Sequence, residues 1–512
     1  METRVLYEMN KIPDKNIFYI FHFSFFEIIL LFTERKKNLN LIVFAFNKSY
    51  ATVHFLTEIY PMGEKMNTLT MLRQRSSQVV ETSDSQSVDM RQVASLILSG
   101  GEGTRLHPLT LARCKPAINF GGKYRLIDVP ISNSLHAGCK KVFLLTQFLS
   151  SSLHQHVFQT YMQGPGAGSI EILTAEQKPS KKNWFQGTAD AVRQNIDYLL
   201  ESPFEYFLIL SGDQLYNIDF QEMVHFAKKN DSDVVVATIP VNTQDAKRMG
   251  ILKVDEQNSI TSFYEKPQDN DLLQQLRSPS NILEKAGVAS TGERVYLGSM
   301  GIYLFKRKAL VELLSEDIRE DFGKHLIPTK VASGKISAYL YTGYWEDIGT
   351  IETFYQANLA LTETNPVFNF HNEARPIYTY RYDLPPAKFT TCQIQKSILC
   401  EGSIIEADEI THSLLGPRTV IGSGAIIRDS YLMGNDYYVS PVNDHCKLPS
   451  EPQIGENCII KKAIIDKNVR IGKGVQLINK QQLTRYESEF VFIRDGIIVV
   501  PRGSVLPDGF IL

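Results

Sequence analysis

The chain has 512 residues and a formal net charge of −2, so it is long enough for two or three domains with real cores. The near-neutral balance argues against a polybasic surface, and we expect neither a nucleic-acid nor a membrane partner. The six cysteines form no CxxC pair, which disfavours a zinc site or a disulfide framework. This cysteine usage is typical of a reducing compartment, and we expect a cytoplasmic protein or one of the plastid stroma.

Residues 1–90 differ in composition from the remainder of the chain. The apolar run at 17–32 is shorter than the roughly 20 residues that a membrane span needs, and it contains His22 and Glu27. The stretch from Met66 to Met90 is polar and rich in Ser and Gln, which predicts disorder. We interpret residues 1–90 as an atypical extension, either disordered or a mis-assigned start before Met66. A genuine but non-catalytic extension is the alternative.

The next stretch combines a short apolar strand with a glycine-rich loop, SGGEGT at 99–104. Glycines let backbone N–H groups approach phosphate oxygens. Arg105 and Lys115 follow, and a guanidinium with an ammonium beside such a loop suits a polyphosphate ligand. The Walker A ending is absent. The simpler alternative is a turn that merely uses glycine.

Strand and helix patterns then alternate up to residue 365. Residues 141–146, 206–211 and 233–239 are predicted strands, and 188–200 and 220–229 are predicted helices. This alternation predicts an α/β domain with a mixed, mainly parallel sheet, whose ligands collect at the carboxyl ends of strands.

Two motifs in this domain suit a nucleotide and a metal. In WFQGTADA, Gly187 permits close approach of a flat base and Gln186 can read its edge; the alternative is an ordinary helix start with Thr188 as the N-cap. Asp213 ends a buried strand, and Asp347 lies in YWEDIGT. Each carboxylate can hold Mg²⁺ against a phosphate, or each can be an ordinary turn or cap residue.

A connector at 366–391 is rich in proline and aromatic residues, and beyond it the apolar spacing changes to six. The series are Ile398, Ile404, Ile410; Leu414, Val420, Ile426, Leu432; and Ile459, Ile465, Ile471, Leu477. A six-residue period predicts one short strand per side of a triangular coil. We therefore predict a parallel β-helix at 392–512, interrupted by a loop at 435–450.

The string GGxGTRLxPLTxxxxKP resembles the signature of sugar-1-phosphate nucleotidyltransferases. From about residue 93 to the end, motif order and strings such as WFQGTADAVR, YWEDIGT and AIIDKN resemble glucose-1-phosphate adenylyltransferases, the ADP-glucose pyrophosphorylase family, and most closely its plant-type branch. The resemblance implies a Rossmann-like nucleotidyltransferase domain at 91–365 and a left-handed β-helix domain serving regulation and oligomerisation. It implies the reaction of ATP with glucose 1-phosphate to give ADP-glucose and pyrophosphate, for glycogen or starch synthesis.

The resemblance also implies roles for individual residues. The catalytic residues that it implies are Arg105, Lys115, Asp213 and Lys266. Its substrate-binding residues are Gly100, Gly101, Gly103, Thr104, Phe185, Gln186, Gly187, Thr188, Gly250, Glu265, Lys266 and Ser299. Its metal ligands for Mg²⁺ are Asp213 and Asp347. Lys461 and Arg502 match positions that bind an anionic metabolite effector, and the family assembly implies a homotetramer.

Three alternatives remain open at this stage. Plant enzymes of this kind pair active chains with modulatory ones, which tend to replace the loop arginine or the lysine before Pro-Ala; Arg105 and Lys115 are both intact here. The same domain pair also occurs in non-enzymatic subunits of a translation-factor exchange complex. A transferase acting on another sugar or nucleotide is the third alternative.

Overall fold

The computed structural model describes residues 89–176, 184–285, 287, 293–438 and 452–512, together with the backbone of four earlier strands. These strands form an antiparallel sheet in chain order: β1 (Asn16–His22), β2 (Phe26–Arg35), β3 (Asn38–Asn47) and β4 (Val53–Ile59). They belong to a compact unit of residues 1–87, distinct from the unit of residues 88–512. Most of the Met66–Met90 stretch lies outside the described residues, so the interpretation of residues 1–90 stays a prediction.

In the second unit, a nine-stranded mixed sheet forms the centre of the first domain. Its strands are β5 (Val93–Ser99), β8 (Lys141–Thr146), β9 (Ile170–Thr174), β10 (Tyr206–Ser211), β12 (Val234–Val241), β13 (Gly250–Val254), β14 (Ile260–Glu265), β15 (Tyr296–Lys306) and β16 (Ile336–Leu340). The order is β14-β13-β15-β10-β5-β8-β9, with β12 pairing β15 and β16. The run β10-β5-β8-β9 is parallel, so the carboxyl ends of these strands meet at one edge.

Two short antiparallel pairs accompany the main sheet. They are β6 (Asn119–Phe120) with β7 (Tyr124–Arg125), and β11 (Gln214–Tyr216) with β17 (Trp345–Asp347). The helices are α1 (Asp128–Ala137), α2 (Ser151–Val157), α3 (Thr188–Gln194), α4 (Ile196–Leu200), α5 (Phe220–Lys229), α6 (Thr243–Ala246), α7 (Asn270–Gln275), α8 (Ser280–Lys285), α9 (Arg307–Glu316), α10 (Ile327–Ser333) and α11 (Ile351–Ala360). Among the described residues, none of these is long and apolar enough to cross a membrane.

The main sheet is buried on both faces, as its continuous apolar strands predict. Alternate residues of one strand enter different cores: Leu208 and Leu210 pack in one, and Phe207 and Ile209 in the other. Such two-sided burial fixes the register of each strand and therefore fixes where its carboxyl end presents the loop that follows.

The last domain is a parallel β-helix with three strand faces. The first face contains β18 (Lys388–Phe389), β21 (Ile404–Ile405), β24 (Val420–Ile421), β27 (Arg470–Ile471) and β32 (Val505–Leu506). The second contains β19 (Gln393–Gln395), β22 (Glu409–Thr411), β25 (Ile426–Leu432), β26 (Ile459–Ile465) and β28 (Gln476–Leu477). The third joins β20 (Ile398–Leu399), β23 (Leu414–Leu415), the later halves of β25 and β26, and β31 (Ile497–Val500). A hairpin of β29 (Arg485–Glu487) and β30 (Phe492–Arg494) completes the domain.

The β-helix confirms the predicted fold class, but its repeat is not strictly six residues per face. Coils without an insertion pair residues 16 or 17 apart, as in Ile404 with Val420 and Glu409 with Ile426, and coils with an insertion pair residues 33 or 35 apart. The interior residues are consequently spaced by five or six, beginning Ile405, Ile410, Leu415 and Ile421. The six-spaced series therefore match the interior only in part: Ile398, Ile404, Ile426 and Ile459 are half-buried, and their other members are buried. Residues 439–450 of the predicted loop lie outside the described residues.

The β-helix packs on the first domain through an apolar interface that contains one buried ion pair. Leu414, Tyr431 and Met433 of the β-helix belong to the same hydrophobic core as the first domain. Within this interface, Arg113 Nη2 lies 2.7 Å from Asp466 Oδ1, and both side chains are 2% exposed. Partly exposed ion pairs also cross between the domains, as Lys123 with Glu401 and Lys396 with Glu363 do, whereas the Arg113–Asp466 pair is buried within the apolar part of the interface.

Candidate functional site

A cavity of about 1060 Å³ opens at the edge where the parallel strands end. Its lining includes all the predicted catalytic, substrate and metal residues: Gly100, Gly101, Gly103, Thr104, Arg105, Lys115, Phe185, Gln186, Gly187, Thr188, Asp213, Gly250, Glu265, Lys266, Ser299 and Asp347. These residues come from distant parts of the chain, so their meeting in one cavity is a property of the fold. Their individual roles remain predictions.

The glycine loop leaves β5 and turns tightly against Lys115. Gly103 has φ of 65°, in the left-handed region that favours glycine. A Cβ atom there would lie 3.0 Å from the Lys115 Cβ and 3.1 Å from the Thr110 Cγ2. The Thr110 hydroxyl also donates a hydrogen bond to the Gly103 carbonyl at 3.2 Å. The absence of a side chain at Gly103 thus allows the loop and the lysine to line the same wall.

Lys115 places its ammonium between the two predicted metal carboxylates. Its Nζ lies 2.5 Å from Asp213 Oδ2 and 3.7 Å from Asp347 Oδ1. The lysine side chain is 8% exposed and Asp347 is 42% exposed. The Ser211 hydroxyl donates to the other oxygen of Asp213. A positive charge is therefore already held where two carboxylates converge.

The two carboxylates have opposite pKa shifts. Burial opposes ionisation of Asp213, but the adjacent Lys115 ammonium and the Ser211 hydrogen bond lower its pKa. Burial and then the negative charge of Asp213 raise the pKa of Asp347 above its ordinary value, against Lys115 and Arg105. Two close carboxylates repel each other, and a cation between them favours the doubly ionised form.

Asp347 is not the cap of the helix that follows it. Thr350 caps α11: its hydroxyl accepts from the Thr353 N–H at 3.1 Å, and the Thr353 hydroxyl accepts from the Thr350 N–H at 3.0 Å. Asp347 instead ends β17, directly opposite Gln214 of β11. Its carboxylate is thus available to the cavity, and the capping alternative for this residue is wrong.

The WFQGTADA segment is held by a loop from the far side of the cavity. The Glu320 carbonyl accepts from the Ala189 N–H at 2.7 Å, and a Cβ atom on Gly187 would lie 2.5 Å from that carbonyl oxygen. The Thr188 hydroxyl accepts from the Phe322 N–H at 3.0 Å and lies 3.2 Å from Asp321 Oδ2. Gly187, not Thr188, occupies the N-cap position of α3, and no side chain caps this helix. The Glu320 carbonyl instead accepts from the first N–H groups of the helix.

The base-contact residues are held from the other side by a glutamine. The Phe185 N–H donates to Gln147 Oε1 at 2.6 Å, and Gln147 Nε2 donates back to the Phe185 carbonyl at 3.4 Å. The Gln186 amide is exposed, and it donates to the Trp184 carbonyl at 2.8 Å. The Gln186–Gly187 backbone is therefore clamped beside the glycine loop.

The predicted sugar-phosphate residues line the opposite end of the cavity. Lys266 has φ of 48°, and its Nζ lies 3.1 Å from Glu265 Oε1 with the lysine side chain 60% exposed. A Cβ atom on Gly250 would lie 2.9 Å from Glu265 Oε2. The Ser299 hydroxyl accepts from the Gly301 N–H at 3.3 Å. The exposed Lys266 ammonium can hold an anionic group at this end, with the less exposed Glu265 carboxylate beside it.

The two predicted effector residues lie away from the cavity and apart from each other. Lys461 is exposed and precedes the third β-helix face, whereas Arg502 follows that face. Arg502 Nη2 lies 2.7 Å from Asp436 Oδ2, and buried Lys467 lies 2.7 Å from the other oxygen of Asp436. Although burial opposes it, these two cations lower the pKa of Asp436 to about 2. The structure thus groups Arg502 with Lys467 and not with Lys461.

The sequence analysis overlooked Gln147 and Asp321 of the cavity and Lys467 of the β-helix. Gln147 directly follows β8, just as Gly100 directly follows β5, so the strand-end rule would have found it. Asp321 follows a helix within an irregular loop, and no spacing signal marks it. Lys467 is part of the AIIDKN string used for the resemblance, but its burial was not apparent from a sequence rich in exposed lysines.

The donor set at the carboxylates fits a metal bound mainly by substrate oxygens. Among the described residues, no group of three or more His, Cys, Asp or Glu side chains could hold a metal by itself. Asp213 and Asp347 supply two carboxylates, and Mg²⁺ usually takes one or two carboxylates together with phosphate oxygens and water. Lys115 Nζ already lies near both carboxylates, at 2.5 Å from Asp213 Oδ2 and 3.7 Å from Asp347 Oδ1.

Two family models match the chain. One, described as nucleotidyl transferase, matches residues 94–364 and covers more than half of the sequence. The other, described as the GLGC left-handed parallel β-helix domain, matches residues 381–511. The chain therefore belongs to the nucleotidyl transferase family, and it is a nucleotidyltransferase enzyme with the two-domain architecture of the ADP-glucose pyrophosphorylases.

Proposed function

We propose that the protein is a glucose-1-phosphate adenylyltransferase, which transfers AMP from ATP to α-D-glucose 1-phosphate for glycogen or starch synthesis. One observation carries the proposal: the glycine loop, the Lys115-linked carboxylates, the WFQG segment and the EKP lysine all line a single cavity. The first three suit a nucleoside triphosphate, and the last suits a sugar phosphate. The plant-type branch is favoured by the quoted strings.

The chemistry requires no protein nucleophile. A phosphate oxygen of glucose 1-phosphate attacks the α-phosphorus of ATP, the bond to the bridging oxygen of the β-phosphate breaks, and pyrophosphate leaves with that electron pair. Catalysis of such a step rests on positioning and on electrostatic stabilisation. Arg105 and Lys115 neutralise the departing pyrophosphate. The backbone of Gln186 and Gly187 receives the base.

Asp213 and Asp347 would hold Mg²⁺. When bound, the metal ion supplies positive charge against the phosphate oxygens. Lys266 holds the sugar phosphate, and Glu265 restrains the lysine from one side, since its carboxylate lies 3.1 Å from the ammonium. Phe185 stands where some bacterial relatives have tyrosine, so this chain lacks one hydroxyl that could contact the sugar phosphate.

A single assay tests the proposed activity. Purified protein is incubated with glucose 1-phosphate, Mg²⁺ and each of ATP, UTP, CTP and GTP, and pyrophosphate release is followed. We expect release with ATP. Preferred release with UTP, CTP or GTP would replace adenylyl transfer by transfer of another nucleotide. If none of the four nucleotides leads to pyrophosphate release, the modulatory-subunit alternative is favoured.

Regulation by an anionic metabolite is part of the same proposal. Arg502 and Lys467 present cationic groups around Asp436, and Lys461 is an exposed cation on a neighbouring corner. We expect a phosphorylated three-carbon acid or a sugar bisphosphate to activate the enzyme. Titrations of Arg502→Ala and Lys461→Ala with each compound test the two positions separately, with the exposed Lys473→Ala as control. An activation midpoint equal to that of the unmodified protein removes the residue concerned from the effector site.

We also propose that the protein forms a homotetramer and that it acts in the cytoplasm or the plastid stroma. The β-helix domain carries the family resemblance that supports this assembly. Light scattering coupled to size-exclusion chromatography measures the assembly directly, and a monomer at micromolar concentration would contradict it.

A further inference from the structure

Gln214 is adjacent to both predicted metal carboxylates, to one along the chain and to the other across a strand pair. It follows Asp213 in the chain and is directly opposite Asp347 in the β11–β17 pair. The residue is only 6% exposed. The two strands of this pair have three residues each, and so short a two-stranded pair has little stability by itself. Lys115 Nζ lies near both carboxylates, but the two short strands that carry them need a further contact to stay paired.

The Gln214 side chain supplies that support from both ends of its amide. Its Nε2 donates to the Met300 carbonyl at 2.8 Å, and its Oε1 accepts from Trp345 Nε1 at 3.2 Å. Met300 follows Ser299 on β15, and Trp345 begins β17. One amide thereby joins β11, which directly follows Asp213, to the strand of Asp347 and the strand of Ser299.

The requirement for an amide is specific. The site offers a carbonyl acceptor on one side and an indole donor on the other, and glutamine has both a donor and an acceptor on one planar group. Gly301 has φ of 69°, and a Cβ atom there would lie 3.5 Å from Gln214 Nε2. The far end of β11 has a separate tether, since Asn133 Nδ2 donates to the Tyr216 carbonyl at 3.2 Å.

We propose that Gln214 is a positioning residue that fixes the separation of Asp213 and Asp347 and links this pair to the sugar-phosphate strand at Ser299. Two like charges near each other push their strands apart, and the amide clamp opposes that movement through backbone and indole contacts. The inference rests on the proposed function, because the carboxylate pair is useful only if it holds the metal on a nucleotide.

The test compares Gln214→Leu with Gln221→Leu. Gln221 is an exposed glutamine of α5 whose Nε2 donates to the Ala137 carbonyl at 3.0 Å, away from the cavity. Mn²⁺ binding is measured by electron paramagnetic resonance with a non-hydrolysable ATP analogue present, and thermal stability is measured alongside. Loss of two hydrogen bonds predicts about a tenfold rise in the Mn²⁺ dissociation constant for Gln214→Leu. We expect no such rise for Gln221→Leu.

Turnover provides the second readout. The Mg²⁺ concentration for half-maximal rate should rise in Gln214→Leu by a similar factor, while the KM for ATP at saturating Mg²⁺ changes less. Trp345→Phe removes only the indole donor, and it tests the same clamp if Gln214→Leu does not fold. We expect it to raise the Mn²⁺ dissociation constant less than Gln214→Leu does. The double variant should show the same dissociation constant as Gln214→Leu alone.

Metal affinity equal to that of the unmodified protein, with only thermal stability reduced, would overturn the inference. A fully additive double variant would also overturn it, because the two side chains would then act independently. These failures are distinguishable from failure of the proposed function. If the proposed function is wrong, the unmodified protein releases no pyrophosphate, whereas Mn²⁺ binding still reports on the position of the carboxylates.

Discussion

At the scale of single residues, the chemistry of the cavity centres on the charge that Lys115 places beside Asp213. An ammonium only 8% exposed is expensive to bury without a partner, and the carboxylate at 2.5 Å supplies one. The same contact keeps Asp213 ionised, because the cation lowers its pKa. A carboxylate held ionised in this way is ready for a metal ion across the pH range in which enzymes work.

Asp213→Asn should reduce kcat severely without unfolding the protein. The substitution keeps the shape of the side chain but removes the charge that would hold the metal, which is worth several kcal/mol in such sites. Steady-state turnover and thermal melting are measured against Asp197→Asn, an exposed change on α4. Turnover above about a tenth of the original, a loss of less than about 1.4 kcal/mol, would contradict the metal assignment.

Lys266→Ala should raise the KM for glucose 1-phosphate far more than the KM for ATP. The lysine lies beside Glu265 at the end of the cavity away from the glycine loop, so its loss removes charge from one substrate only. Initial-rate kinetics with each substrate varied in turn measure the two constants. Lys308→Ala is the control, since Lys308 is exposed on α9. Equal effects on both constants would remove Lys266 from the sugar-phosphate role.

At the scale of elements, the loop at 317–323 connects the two ends of the cavity. It gives its Glu320 carbonyl to the first turn of α3, its Phe322 N–H to Thr188, and a close approach of Gly323 to Glu265. Arg193 fastens the same loop by donating to the Asp317 carbonyl at 2.6 Å. A displacement of this loop must therefore be felt at both substrate positions.

Thr188→Val should raise the KM for both substrates severalfold. The variant keeps the volume of the side chain but loses the acceptor for the Phe322 N–H, at a cost of about 1 kcal/mol for a buried donor left unpaired. Thr188→Ser keeps the hydroxyl and should stay close to the unmodified protein. A rise in the KM for ATP alone would mean that the loop does not couple the two ends.

Much of the element pattern follows from the sequence, and the exceptions have local causes. The predicted bounds of β8, β10 and α5 agree with the structure because each is an apolar run ended by polar or turn residues. The predicted helix at 188–200 is divided into α3 and α4, since Asn195 turns its side chain back to the Ala191 carbonyl at 2.9 Å. The clamp by the 317–323 loop was not predictable, because contacts between segments more than 100 residues apart leave no periodic signal.

At the scale of the whole molecule, one buried ion pair joins the two domains of the 88–512 unit. Asp466→Ala leaves Arg113 charged and unpaired in an apolar seam, which should reduce the free energy of unfolding by about 3–5 kcal/mol. Urea unfolding measures the loss. Glu409→Ala breaks the partly exposed Glu409–Arg428 pair and should cost less than about 1 kcal/mol. Equal losses in the two variants would mean that the interdomain pair contributes no more than a surface pair.

Deleting residues 1–65 should leave activity and solubility unchanged. These residues carry none of the motifs in the cavity, and residues 1–87 form a compact unit of their own. Pyrophosphate release and sedimentation of the truncated chain are compared with those of the full chain. An inactive or insoluble truncation, or recovery of peptides from 12–48 in the native protein, would establish that the extension is real and required.

The position of Lys115 between the two carboxylates has a consequence for the order in which the site is filled. A covalently tethered ammonium has a high effective concentration at Asp213, and a free divalent ion must displace it. A nucleotide changes this competition, because its phosphates attract the same ammonium and can carry their own metal ion. The lysine then acts as a removable counter-ion. It partly neutralises the two carboxylates in the unliganded site, and it moves to the phosphates when the nucleotide brings a metal ion.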